Sequence, residues 1–200
     1  MNWKKHYHQI LQTRKRSRVS LLKHMPKNAV CAEIGVWMGE FSDLILKYAQ
    51  PAKLYLIDCW EFQAAFASEA SLGTAKDQRS YDKMYTAVSH RLGQKPNTEI
   101  IRAYSQDAVT QFPDYFFDWL YLDANHSYQH VLRDIRLYLP KIKPGGYITG
   151  DDYTWGKEFD YPVKRAVHDI LTTAPLKLVK TIRSQYILRK VGHSASHKHR

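Results

Sequence analysis

Two hundred residues, 44% of them hydrophobic, are enough for one domain with a full α/β core, and at this size about 70% of the unfolded surface is expected to be buried. No apolar run approaches the roughly 20 residues of a membrane-spanning helix, and the polar, basic start Met-Asn-Trp-Lys-Lys-His lacks the apolar segment of a secretory signal. We therefore expect no membrane span and a cytoplasmic location, with Cys31 and Cys59, which have no ligand-like spacing, as free thiols.

The formal net charge of +11 is unevenly placed. Residues 1–30 hold eight Lys/Arg and residues 170–200 hold seven, neither with any Asp/Glu, which leaves 15 bases against all 19 acids in the body of the chain. The body is mildly acidic and the flanks carry the basicity. Such flanks suit a solvated helix and tail, or contact with nucleic acid, anionic lipid headgroups or an acidic substrate.

Three segments follow from this pattern: a basic helical stretch over 1–28, a folded domain over 29–190 and a basic, disordered tail over 191–200. Scattered apolar residues between 3 and 23 predict one or two amphipathic helices packed outside the sheet. Residues 29–35 read as the first buried strand, followed by the turn Val-Trp-Met-Gly39 and a helix over 40–48. Strand, glycine turn and helix together form a nucleotide-type unit, although Trp37 replaces the second glycine of the dinucleotide fingerprint and lowers the case for NAD. A second strand, 53–58, ends in Asp58 about 20 residues later, the spacing at which a carboxylate binds a ribose diol.

Residues 60–80 fit neither helix nor strand and read as a lid or substrate loop. A helix from Tyr81 to Leu92, a strand over 98–104 ending near Ser105 and Asp107, and a short helical piece over 108–112 come next. Strand 118–123, helix 128–139, strand 147–150 and helix 161–171 follow, then strands 176–182 and 185–189 around a turn at Arg183 and Ser184. Successive βα units closed by a hairpin predict an α/β fold: a doubly wound, Rossmann-like, mostly parallel seven-stranded sheet with helices on both faces and an antiparallel C-terminal edge.

Two of these strands end in ionisable groups, Asp123 with His126 and Asp151 with Asp152. If they are parallel neighbours, about 5 Å apart, three carboxylates and an imidazole converge in the crevice where open α/β sheets bind ligands. Such an oxygen-rich cluster suits Mg²⁺, Mn²⁺ or Ca²⁺. Alone, the Asp-Asp pair reads more readily as a helix or turn cap; Asp123 and His126 at the tip of the other strand reverse that preference.

The segments Glu33-Ile-Gly-Val-Trp-Met-Gly-Glu-Phe-Ser42, Leu56-Ile-Asp-Cys-Trp60, Asp123-Ala-Asn-His126 with Tyr128 and Asp134, and Lys143-Pro-Gly-Gly through Gly150-Asp-Asp-Tyr153 resemble class I S-adenosylmethionine-dependent methyltransferases. Within that class they are most similar to the metal-dependent O-methyltransferases of macrolide and aminocoumarin sugars. The resemblance implies that Glu33, Gly35 and Gly39 shape the methionine side of the cofactor pocket, that Asp58 takes the ribose hydroxyls and that Asp107 with Ser105 serves the adenine end. It implies Asp123, Asp151 and Asp152 as ligands of a divalent metal, Mg²⁺ foremost, and His126 as general base, a part that Asp123 plays in some relatives.

The expected activity is methyl transfer to a hydroxyl of a small sugar-like or phenolic acceptor. A nucleic-acid methyltransferase using the basic flanks and a non-catalytic cofactor-binding module are the alternatives. Acceptor identity and oligomeric state do not carry over, and a homo-oligomer is compatible with the sequence.

Overall fold

The computed structural model describes residues 3–63 and 77–192. The chain runs α1 (Trp3–Leu22), β1 (Val30–Ile34), α2 (Glu40–Leu44, prolonged by a π-helical turn over Ile45–Ala49), β2 (Lys53–Asp58), α3 (Gln78–Leu92) and β3 (Thr98–Arg102). It continues through α4 (Ser105–Ala108), β4 (Phe117–Leu122), α5 (Tyr128–Tyr138), β5 (Ile142–Gly150), α6 (Pro162–Thr173), β6 (Leu176–Ile182) and β7 (Gln185–Lys190). Residues 64–76 of the expected lid loop and 193–200 of the expected tail lie outside the described residues.

The seven strands are ordered β3-β2-β1-β4-β5-β7-β6. The first five are parallel, and β7 runs antiparallel to both β5 and β6, as the βα pattern and the terminal hairpin predicted. The chain order reverses between β1 and β4, so the crevice of a doubly wound sheet opens beyond their carboxyl ends.

Side chains alternate across β1 and β4 as a sheet buried on both faces requires. Ala32, Ile34, Leu120 and Leu122 pack with α5 and α6 on one face. Cys31, Trp119 and Tyr121 pack with Leu21 and Leu22 of α1, Phe41 of α2 and Val88 of α3 on the other. Leu21 and Leu22 are fully buried, so α1, one helix rather than two, is glued to the domain by an apolar stripe near its C-terminal end.

Strand β5 begins earlier than the expected 147–150, because Pro144-Gly-Gly lies inside it instead of forming the turn before it. The register with β4 shifts between Phe117 and Trp119, which is where a sheet tolerates proline. A Cβ on Gly146 would stand 2.6 Å from the Asp118 carbonyl oxygen, so the two backbones meet there without a side chain between them.

Candidate active site

The register pairs Ile34 with Leu122 and Leu122 with Gly150. The Asp123 amide donates to Ile34 O at 2.8 Å and the Asp151 amide to Leu122 O at 3.2 Å. Three neighbouring strand tips are thus in step, and Asp123 and Asp151 leave the sheet side by side. Asp152 follows with φ 59°, a left-handed conformation that costs a non-glycine residue about 1–3 kcal/mol and tends to mark functional sites. Its Oδ2 lies 3.1 Å from His126 Nδ1. The His126 ring also sits 5.6 Å from that of Trp155, which is 39% exposed.

The glycine turn after β1 closes the adjacent wall. Gly35 has φ 92°, and a Cβ there would stand 2.3 Å from the Asp123 carbonyl oxygen, so the turn reaches the β4 tip only because the residue is glycine. Gly39, φ 73°, begins α2. Asp58 ties the turn to β2: Oδ2 accepts from the amides of Val36 at 2.8 Å and Trp37 at 2.9 Å, and Oδ1 from that of Trp60 at 2.8 Å. Oδ1 keeps a lone pair for a further donor.

Beyond β2 and β3 opens a cleft of about 640 Å³ lined by Cys59, Glu61, Arg102, Ala103, Tyr104 and Asp107, among others. That volume is in the range of small-molecule and cofactor sites. Ser105 is turned elsewhere and donates to Asp134 at 2.8 Å. Gln78 pins both ends of the segment that enters and leaves the expected lid, accepting from the Phe62 amide at 2.9 Å and donating to Trp60 O at 3.0 Å.

Glu33 lies under the cluster and is only 1% exposed. Its Oε2 accepts from Ser42 Oγ at 2.5 Å, and burial pushes the carboxyl up to about 8 despite that bond. A carboxyl raised from its unfolded value binds its proton more tightly in the folded state, so its contribution is complete below about 4.5 and is lost as pH rises through about 8. At pH 7 the gap corresponds to roughly 3 kcal/mol. Glu33→Gln is therefore expected to raise stability at pH 7 by up to about that amount and to flatten the decline between pH 5 and 8, read from urea midpoints across that range.

Two residues at the site were not expected there. Arg14 Nε donates to Asp151 Oδ2 at 3.1 Å, and Arg18 reaches the same oxygen through Nε at 3.2 Å and Nη2 at 3.0 Å. Arg18 Nη2 also bonds Asp123 Oδ2, and its guanidinium lies 4.9 Å from the centre of the Phe41 ring. The signal was present, although it suited a solvated helix or an anionic partner as well: Arg14, Arg18, Leu21 and Leu22 fall at i, i+4, i+7 and i+8, one continuous face of α1. The basic end of that face looks into the site.

Asp151 is saturated. Besides the arginines on Oδ2, its Oδ1 accepts from the Asp152 amide at 2.8 Å, Ser184 Oγ at 2.8 Å and Gln185 Nε2 at 2.5 Å. Burial alone would raise its pKa, but Arg18, Arg14 and these donors hold it below the usual carboxylate range. Asp123 moves the other way: burial outweighs Arg18 and pushes it up to about 7. Asp152 is raised by burial and held back by His126.

These contacts decide whether a divalent ion fits. An ion needs oxygen lone pairs facing it, and with both oxygens of Asp151 filled by donors the expected trio Asp123, Asp151 and Asp152 does not supply them while α1 is docked. Asp123, His126 and Asp152 do present ligand atoms within 4.8 Å of one another, but Arg18 is already on Asp123 and the imidazole Nδ1 faces Asp152. An ion would have to displace the Arg18 guanidinium, which already bonds Asp123 Oδ2 and Asp151 Oδ2. The cluster with its two arginines does not fit a divalent ion.

A methyltransferase-domain family matches residues 32–153, more than half of the chain. The chain belongs to that family. It carries a methyltransferase domain, with the Rossmann-like sheet described above. An uncharacterised protein of Acanthamoeba polyphaga mimivirus is 36% identical over 81 residues, 37% of each chain, so the match spans little more than a third of that relative. Among solved structures, cofactor-bound Rv0187 from MTB aligns with a TM-score of 0.61 at 14% identity, covering 88% of this methyltransferase and 79% of that chain. The O-methyltransferase NovP aligns with a TM-score of 0.55 at 16% identity, covering 92% and 80%. At these identities the two structures speak for the fold. No helix among the described residues is long and apolar enough to cross a membrane.

Proposed function

We propose that this methyltransferase acts on a hydroxyl oxygen of a small acceptor, sugar-like or phenolic, with His126 as the base. The observation that carries this reading is the His126–Asp152 pair, 3.1 Å apart at the tips of β4 and β5, beside the glycine turn. Asp152 accepts a hydrogen bond from Nδ1–H and leaves Nε2 as the acceptor nitrogen, the arrangement that lets a histidine receive a proton from a reacting hydroxyl. That NovP is an O-methyltransferase supports oxygen as the acceptor atom.

In this reading Gly35 and Gly39 shape the methionine end of the cofactor site, Asp58 accepts from the ribose, and Asp107 on the cleft wall faces the adenine end, with Ser105 holding α5 through Asp134. Glu33 supports the turn from below. Held by these residues, S-adenosylmethionine would supply an electrophilic methyl carbon for a lone pair of the hydroxyl oxygen, with sulfur as the leaving group keeping the C–S electron pair. His126 takes the hydroxyl proton, and Asp152 stabilises the imidazolium. Alignment of this kind lowers a barrier by up to about 7–11 kcal/mol. No step passes through Mg²⁺, because the cluster does not fit it.

The nucleic-acid alternative loses support from the arginines. Arg14 and Arg18 are spent on carboxylates, and Lys190 of the other flank donates inward to Leu139 O and Ile142 O.

The test is calorimetric titration with S-adenosylmethionine followed by a sugar and phenol panel scored for O-methylated product. Asp58→Ala is expected to weaken cofactor binding by tenfold or more, since bonds to a charged carboxylate are worth about 1.5–3 kcal/mol each. Cofactor binding without product from any hydroxyl acceptor would count against oxygen methylation, and unchanged affinity in Asp58→Ala would remove Asp58 from the site.

A further inference from the structure

The carboxylates at the tips of β4 and β5 carry their counter-charge on α1, and the contacts are those of a built site. Arg14 and Arg18 stand one helical turn apart, so both forks point the same way. Together they place three N–H bonds on Asp151 Oδ2, and Arg18 adds one on Asp123. The Arg18 side chain is 13% exposed, its guanidinium lying over the mutually packed rings of Phe41 and Tyr121 at 4.9 and 5.9 Å from their centres. From the opposite side Gln185, fully buried, links Asp151 to Tyr121 Oη. A divalent ion in such a cluster does two things: it offsets repulsion among the carboxylates and it fixes their orientation. The two guanidiniums do both.

We infer that Arg14 and Arg18 are the resident cations of this active site, positioning residues that take the place of a divalent metal, so that this methyltransferase works without one. The inference rests on the methyl-transfer reading for what the cluster serves, but whether the cluster takes an ion can be measured without any acceptor. Arginine is suited to the part because its fork binds two carboxylates at fixed angles and stays charged when buried. Lysine would supply the charge without the fork.

The experiment is a Mn²⁺ titration of the full chain, followed by the paramagnetic resonance signal of the free ion, on the unaltered protein, on Arg14→Ala/Arg18→Ala and on Arg14→Lys/Arg18→Lys. The unaltered protein is expected to take up no stoichiometric Mn²⁺ below the millimolar range. The alanine pair is expected to gain one site at least about tenfold tighter, because three carboxylates are left uncompensated. The lysine pair should stay close to the unaltered protein. Methyl transfer by the unaltered protein should be the same with and without a chelator, which a merely structural role for α1 would not require.

One Mn²⁺ bound at micromolar concentration by the unaltered protein, or turnover abolished by a chelator and restored by Mg²⁺, overturns the inference. So does an alanine pair that folds and binds no better than its parent. Should the alanine pair not fold, as judged by circular dichroism, the titration of the unaltered protein and of Arg14→Gln, which alters the more exposed arginine, decides instead. Absence of methyl transfer to every acceptor tried, together with absence of Mn²⁺ uptake, would leave the arginines as the cluster's cations while removing the proposed function and with it metal-free turnover.

Discussion

Gly35→Ala is expected to destabilise the protein by roughly 3–5 kcal/mol, the sum of a close backbone clash and a strained dihedral. The added methyl carbon would lie 2.3 Å from Asp123 O, 2.5 Å from Asp123 C and 2.6 Å from Ala124 N, all main-chain atoms that cannot rotate away, at a φ of 92°. In a chain of this size the loss corresponds to about 6–20 °C in Tm. The damage is also local, because the atoms displaced belong to the residue whose side chain meets Arg18 and to the turn that leads to His126. Gly145→Ala supplies the control. Its φ of 79° brings similar strain, but its nearest neighbour is the end of the Arg189 side chain at 3.6 Å, so only about 1–2 kcal/mol should be lost. Equal losses at the two positions, from urea unfolding, would mean that the β1 turn and the β4 tip are not in contact.

That contact also shows what can be read from the chain before it folds. The apolar strands, the glycine turn and the acid at the end of β2 are local patterns, and each carries its own physical reason. Their sum, a doubly wound sheet with a reversed edge, is borne out by the strand order. Juxtaposition of the β4 and β5 tips was legible too, because consecutive parallel strands tend to be neighbours.

Less legible were the features that depend on partners far along the chain. Arg14 and Arg18 find Asp151 across 137 and 133 residues, and nothing at either end distinguishes them from arginines on a solvated face until the stripe formed with Leu21 and Leu22 is extended toward the N-terminus. The crowding on Asp151 was hidden for the same reason, since Ser184 and Gln185 arrive from the hairpin turn. The start of β5 was obscured by a different cause: Pro144-Gly-Gly is a turn signal that tertiary pairing overrides, at the expense of a register shift against β4. The π-helical turn over Ile45–Ala49 has no local signature.

His126→Ala is expected to lower kcat by about 10²–10⁴, the range for loss of a positioned general base, while cofactor binding stays as it was. The His126 side chain is 37% exposed and its recorded polar partner is Asp152, so its removal leaves the buried core untouched and separates a chemical role from a structural one. Added imidazole should restore part of the rate in this variant, because the space vacated lies at the mouth of the site beside Trp155. Asp152→Asn tests the second member of the pair. An amide can present its NH₂ to Nδ1 and so favour the tautomer with the proton on Nε2, which cannot accept one from the acceptor; the rate should fall while the fold persists, and imidazole should not restore it because the native ring still fills its place. If His126→Ala leaves kcat within about threefold, well short of the range for a general base, proton removal must pass to Asp123. Burial has raised that carboxyl to about 7, and its bond to Arg18 would then be what sets the ionised fraction available to act.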